Sequence, residues 1–171
     1  MTMLTAAVAG GQNVRAFLDM LAWAEGTSIS PATKNDGYDV IVTGINGLPE
    51  IFTDYSDHPF AKGRPSKQIN RRGLKSSASG RYQFMLKDWA HYRAQLDLPD
   101  FGPGSQDRWA IQLIREFRAL DDVKSGRIRQ AIARVAPLWA SLPGSNQQDQ
   151  RMRSLDDCVR VYRLAGGVVS G

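Results

Sequence analysis

The sequence predicts an α+β domain: helices packed around one small β-hairpin. Three observations carry that reading. Apolar residues recur at three and four in several separate stretches, the period of a helix with one buried face. One short run rich in β-branched residues, Tyr38-Asp39-Val40-Ile41-Val42, breaks that pattern and reads as a strand. The chain has 171 residues, of which 42% are hydrophobic and 23% charged, enough for one domain with its own core. Those values exclude a disordered or low-complexity chain. The whole chain, 1–171, is therefore expected as a single domain, with residues 1–13 as a flexible lead-in.

The elements follow in order. Val14, Phe17, Leu18, Leu21 and Ala22 mark the first long helix, which Gly26 stops. A polar stretch from Thr27 to Gly37 precedes the strand. Asn46-Gly47 supports a hairpin turn, with Ile51-Phe52-Thr53 as the returning strand. Residues 54–80 read mostly as loop, containing Pro59, Gly63, Pro65 and Gly73. Helical spacing resumes from Tyr82, through Met85, Leu86, Trp89, Tyr92 and Leu96. A helix N-capped by Ser105 carries Trp109, Leu113, Ile114, Phe117 and Leu120. Another, after Ser125, carries Ile128, Ala131, Ile132 and Val135 and meets Pro137. The last holds Met152, Leu155, Val159 and Tyr162 and ends at Gly166-Gly167.

Glu25 is the most informative side chain. It lies four after Leu21 and seven after Leu18, on the apolar face of its helix. It also sits in the last turn, where the helix dipole disfavours a carboxylate. Both effects push its pKa up, as a general acid near neutral pH requires. The other reading is a glutamate at a frayed helix end that points to water. His58, in Thr53-Asp54-Tyr55-Ser56-Asp57-His58-Pro59, is expected to be structural, since triad members rarely neighbour one another in sequence. Two histidines and the single Cys158 make a poor set of metal ligands, so no metal or other cofactor is expected. Cys158 has no neighbouring base and reads as a buried thiol. Small residues Ser76 to Gly80 lead into Arg81-Tyr82-Gln83, where Tyr82 offers a sugar-stacking face and Gln83 an amide that both donates and accepts. Trp23, Trp89, Trp109 and Trp139 sit in apolar patterns, and Trp139 is the one placed to reach a cleft.

The formal net charge is +5 and the pI about 9.6. A basic surface favours nucleic acid, an anionic membrane or an acidic cell-wall polymer. The basic cluster Lys62, Arg64, Lys67, Arg71, Arg72 and Lys75 has no nucleic-acid reading module and no interleaved aromatic residues, so no nucleic-acid partner is expected. The stretch Leu4 to Ala9 is too short to span a membrane, and no basic residue precedes it as in a signal peptide. Synthesis in the cytoplasm is the expectation.

Several of these segments together resemble the lambda-phage-type endolysins. They are Ala16 to Gly26, Gly37 to Val42, Phe52 to Pro59, Gly80 to Gln83, Ser105 to Asp107 and Trp139 to Gly144, in the family's order. The resemblance runs from about Val14 to Gly144 and weakly to Gly167. It implies a lysozyme-like α+β fold, with a glycan cleft between the helical part and the hairpin lobe. It also implies cleavage of peptidoglycan between N-acetylmuramic acid and N-acetylglucosamine by lytic transglycosylation. Glu25 falls at the family's catalytic glutamate, and Tyr38, Asp39, Tyr82, Gln83 and Trp139 fall near its cleft. The implied enzyme is a monomer that accumulates in the host cytoplasm and needs a holin, with no direct contact, to reach the wall. Three stretches depart from the family: a longer hairpin tip at Thr43–Glu50, a divergent Thr27–Asp36, and Ser145–Gln150, which lacks the family's glycines and aromatic residues.

The residues leave two further readings open. A hydrolytic muramidase would pair Glu25 with a second carboxylate, for which Asp36, Asp39, Asp54 and Asp57 are the candidates. A non-catalytic wall-binding module would use the basic loop alone.

Overall fold

The computed structural model describes residues 2–145 and 152–171. In chain order the elements are α1 (Ala6–Ala9), α2 (Gln12–Glu25), β1 (Val40–Ile41), β2 (Glu50–Ile51), β3 (Lys67–Gln68), β4 (Lys75–Ser76), α3 (Leu86–Leu96), α4 (Pro103–Glu116), α5 (Leu120–Lys124), α6 (Ile128–Val135) and α7 (Leu155–Leu164). Among the described residues this is an α+β protein of seven helices and two small antiparallel hairpins. Within the span expected as one domain, the elements gather into two compact units. One is Gly26–Gln106 with the first residues through Met3; the other is Leu4–Glu25 with Asp107–Gly171. Among the described residues no helix is long and apolar enough to cross a membrane.

The helical unit is built on α2. Val14, Phe17, Leu18, Leu21 and Ala22 are fully buried, as their spacing predicts. Gly26 follows α2 at φ +80°. α2 packs against α1, α5 and α7. The lead-in is more ordered than expected. Thr5 caps α1 by accepting a hydrogen bond from the Val8 amide (3.3 Å), and Leu4 N donates to Asp107 Oδ2 (3.0 Å). Arg15, buried on α2, donates to the same Asp107 oxygen (2.9 Å) and to Asp19 (2.8 Å). α6 buries Ile128, Ala131, Ile132 and Val135. α7 buries Cys158, Val159 and Tyr162, and burial pushes the Cys158 thiol up to about 11.

α4 differs from expectation at both ends. It starts at Pro103, suited to a first helical position, and Ser105 lies inside it. Asp100 organises the start instead, accepting from Gly102 N (2.8 Å) and Ser105 Oγ (2.9 Å). The helix stops at Glu116 rather than running to Leu120. Arg118 takes a left-handed conformation (φ +57°), and Ala119 N bonds back to Ile114 O (2.9 Å). Leu120 opens α5 instead.

In the other unit β1 pairs β2 in the register Val40↔Ile51 and Ile41↔Glu50. Both strands are shorter than expected. The segment 54–80, expected as loop, contains a second hairpin, β3–β4, in the register Lys67↔Ser76. Its turn is held by Asn70, whose Oδ1 accepts from Arg72 N and Leu74 N (3.0 Å each). The long tip of the first hairpin leans on the second, with Ile45 N donating to Gln68 O (2.8 Å). Much of the basic cluster flanks or forms this second hairpin; Lys62 pairs with Asp54 (3.6 Å), and Lys67 and Arg64 bind Glu50 and hold its carboxyl below the usual range. His58 is a core residue. Its Nε2 lies 2.9 Å from Phe84 O and its Nδ1 accepts from Phe60 N (3.2 Å), which fixes the neutral tautomer, and burial pushes its pKa down.

The Arg15–Asp107 pair is buried on both sides, so removing one partner strands a charge. Asp107→Ala is expected to lower stability by about 3–5 kcal/mol. A urea unfolding curve measures this; a loss below about 1 kcal/mol would mean that the pair does not hold α1, α2 and α4 together.

Candidate active site

In the helical unit the site is the C-terminal end of α2. The last carbonyls of a helix have no partners within it, and a carboxylate there meets the negative end of the dipole. Glu25 occupies this position half-buried. Its Oε1 accepts a 2.5 Å hydrogen bond from Ser141 Oγ. Ser141 is itself buried, in the tight turn Trp139–Ser145, where Leu142 N donates to Trp139 O (3.0 Å) and Ser145 Oγ to Ala140 O (2.7 Å). Burial pushes the Glu25 pKa up; the Ser141 hydrogen bonds and the Arg153 charge oppose it and are outweighed. A neutral carboxyl therefore persists at higher pH than for an ordinary glutamate. Such a group can donate a proton and, once ionised, is held as a base by a hydroxyl donor.

Arg153 completes this end. Its Nε and Nη2 point at Ala24 O (3.3 Å) and Trp23 O (3.5 Å), and the guanidinium lies 4.6 Å from the centre of the Trp23 ring. The sequence reading named neither Ser141 nor Arg153 as a site residue. Ser141 lies in the Trp139–Gly144 segment and could have been found there. Arg153 carries no local signal, being one basic residue among many. Trp139 was expected at a cleft; its ring is buried, 3% exposed, and the turn it anchors is what presents Ser141.

In the other unit the segment Gly80-Arg81-Tyr82-Gln83 is a tight turn, not the start of a helix. Ser79 and Phe84 exchange backbone hydrogen bonds (Ser79 N to Phe84 O, 3.0 Å; Phe84 N to Ser79 O, 2.8 Å), and α3 begins only at Leu86. Gly80 has φ +82°, and a Cβ there would stand 2.3 Å from Gln106 Oε1, so the close approach admits only glycine. That Gln106 oxygen accepts from Arg81 N (2.8 Å), and its amide nitrogen donates to Tyr38 O (3.0 Å) and Phe101 O (2.8 Å).

Arg81 is the hub here. Its side chain is 2% exposed. It donates to Asp36 O (2.9 Å), Asp36 Oδ2 (3.0 Å) and Tyr82 Oη (3.2 Å). The Tyr38 and Tyr82 rings flank it, their centres 5.0 and 5.8 Å from its guanidinium carbon. Both rings are buried, so Tyr82 presents no stacking face and supports the turn from beneath. Gln83 is half-buried with φ +56°, and its amide donates to Gly80 O (2.9 Å). Asp39 is buried, accepting from Thr33 Oγ1 (2.5 Å) and Lys34 N (2.9 Å). The divergent stretch 27–36 thus forms the cradle of Asp39. Of the divergent Ser145–Gln150, residues 146–150 lie outside the described residues. Among the described residues no group of three or more His, Cys, Asp and Glu is arranged to hold a metal ion.

The Ser141 hydrogen bond favours the ionised form of Glu25, so its removal has a defined sign. In Ser141→Ala the Glu25 carboxyl is expected to titrate at higher pH than in the wild type. Carbon-13 NMR of glutamate-labelled protein, with Glu25 assigned by its loss in Glu25→Gln, measures this. An unmoved or lowered titration would mean that Ser141 does not hold Glu25 in solution.

Comparison with known proteins gives the family and the fold. Residues 15–169 match the family model described as Endolysin. The chain is 66% identical over 157 residues to the endolysin of Escherichia phage P2, covering 92% of this chain and 94% of that one. It is 48% identical over 156 residues to the endolysin of Escherichia phage lambda, covering 91% and 92%. A structure of bacteriophage lambda lysozyme complexed with a chitohexasaccharide superposes with TM-score 0.82 at 44% identity, covering 99% of this chain and all of that one. A second lambda lysozyme structure gives 0.79 at 42% identity, with the same coverage. The fold is the lysozyme-like α+β fold, and the chain belongs to the endolysin family, of the lambda lysozyme type.

Proposed function

We propose that this protein cleaves the β-1,4 bond between N-acetylmuramic acid and N-acetylglucosamine in bacterial peptidoglycan by lytic transglycosylation, with Glu25 as general acid and then general base. The observation that carries the reading is one half-buried carboxyl, its pKa raised by burial, cradled by a hydroxyl at a helix end. Protonated Glu25 gives its proton to the leaving glycosidic oxygen as the bond from C1 breaks. The oxocarbenium-like sugar is stabilised by its own 2-acetamido group. Glu25, now a carboxylate held by Ser141, takes the proton of the muramic C6 hydroxyl. That oxygen bonds to C1 and closes a 1,6-anhydro ring. Glu25 ends protonated, as it began, and no water is consumed.

A hydrolytic course needs a second carboxylate across the scissile bond. The four aspartates available for it are engaged locally. Asp36 binds Arg81, and Asp39 is held by Thr33 and Lys34. Asp57 accepts from Trp89 Nε1 (2.6 Å) and from Arg93 (3.4 Å). Asp54 shapes its own loop, accepting from Ser56 N (2.9 Å). Their engagement supports the one-carboxylate reading. In this reading Gln83 meets the sugar, while Tyr38, Asp39, Tyr82 and Trp139, all buried, act by holding the turns of their own units. The protein acts as a monomer, is made in the host cytoplasm and reaches the wall after holin release. The net charge of +5 draws it to anionic wall polymers.

Glu25→Gln is expected to fold and to lose lysis of purified sacculi by at least about 10²–10⁴-fold. It is also expected to be no less stable at neutral pH. A raised folded-state pKa makes ionisation of Glu25 cost stability as pH rises from the unfolded value through the folded one, and Gln carries no such cost. Circular dichroism and turbidity assays measure both, and appreciable lysis by folded Glu25→Gln would overturn the reading. Lysis by the wild type is expected to slow as ionic strength rises from about 0.01 to 1 M, as the Debye length falls from about 30 to 3 Å. A rate indifferent to salt would make the charge incidental.

A further inference from the structure

We propose that Arg153 is a positioning residue for Glu25: its guanidinium clamps the last carbonyls of α2 while its backbone holds the Ser141 turn, so one residue sets both the carboxyl and the hydroxyl that cradles it. The inference rests on Glu25 being the acid.

Four contacts carry it. The guanidinium reaches Ala24 O and Trp23 O, two of the terminal carbonyls that α2 leaves unpartnered. The same group lies over the Trp23 ring. Its backbone amide donates to Ser141 O (2.8 Å), the residue whose hydroxyl binds Glu25. Arg153 also directly precedes Ser154, which caps α7 by accepting from Asp157 N (3.1 Å). α7 packs against α2, so the capped helix delivers Arg153 to the end of α2. A planar, permanently charged fork suits this place; a lysine supplies the charge without the fork.

Among the described residues, Arg153 is the cation whose charge acts on Glu25, and other charged groups on the elements around α2 are engaged elsewhere. Asp122 binds Arg127 and Arg134. Asp19 and Asp107 bind Arg15. Lys124 lies against the backbone at Gly10. On α7, Asp156 binds Arg129, and Asp157 binds Arg160 while also feeling the Arg153 charge. Cys158 is buried and neutral near pH 7. Arg153 favours the ionised carboxyl and so supports the first proton transfer, from Glu25 to the leaving oxygen, as well as the geometry.

The test compares the full chain with Arg153→Met and Arg153→Lys. Glu25 is titrated directly by carbon-13 NMR, and kcat and KM are measured on sacculi. Arg153→Met, which keeps the apolar stem, is expected to raise the Glu25 titration and to lower kcat about tenfold with KM near the wild type. Arg153→Lys is expected to restore the titration and only part of kcat, separating charge from geometry. Folded Arg153→Met with the wild-type titration and kcat would overturn the inference. If Arg153→Met fails to fold, wild-type kcat in Arg153→Lys overturns it instead. Failure of the Glu25 reading has a different signature: lysis by folded Glu25→Gln, whatever the Arg153 variants do.

Discussion

A carboxyl buried at the wrong end of a helix dipole is the constraint on which the functional account depends. α2 buries Val14, Phe17, Leu18, Leu21 and Ala22, and the helical period then carries Glu25 to the same face. Burial and dipole both disfavour its charge. A carboxyl left only to those forces would give up its proton unwillingly and take it back at once. Ser141 and Arg153 supply the counterweight, one by a short hydrogen bond and one by charge. A group that must be an acid and then a base needs this balance. The surrounding helices serve it: the Trp139–Ser145 turn presents Ser141, and the cap of α7 fixes Arg153.

The other unit solves a different problem, holding a buried cation without losing stability. Arg81 is removed from water, which is costly unless its donors are met. Asp36, the Tyr82 hydroxyl and two ring faces meet them, and Thr27 and Gln106 fasten its backbone. Gly80 admits Gln106 at a distance no other residue allows. The result is a rigid turn that fixes Gln83 in a left-handed conformation. Strain at a non-glycine residue persists only where the surroundings over-determine it, as they do here.

What the sequence made legible follows from how local each cause is. α2, α6 and α7 were readable because each buries a stripe at helical spacing, and β1–β2 because β-branched residues flank an Asn-Gly turn. Glu25 was readable because its burial is set by its own helix. The β3–β4 hairpin was hidden, since its strands are two-residue pairs rich in charge and its only cue was the Asn70-Arg71-Arg72-Gly73 turn. The helix expected from Tyr82 was a turn because long-range bonds to Gln106 and Thr27 override local spacing. Tyr82 looked like a binding face because sequence does not reveal that Arg81 turns inward beside it. Arg153 was invisible for the same reason: the partners of its guanidinium lie more than a hundred residues away.

The central claim is that a single carboxyl performs both proton transfers, so that a sugar hydroxyl and not water attacks C1. Mass spectrometry of the muropeptides released from purified sacculi, without borohydride reduction, tests it most directly. The account predicts products lighter by about one water (about 18 Da) than hydrolysis products and resistant to later reduction, the mark of 1,6-anhydro ends. Reducible muramic ends would contradict it and require a second carboxylate.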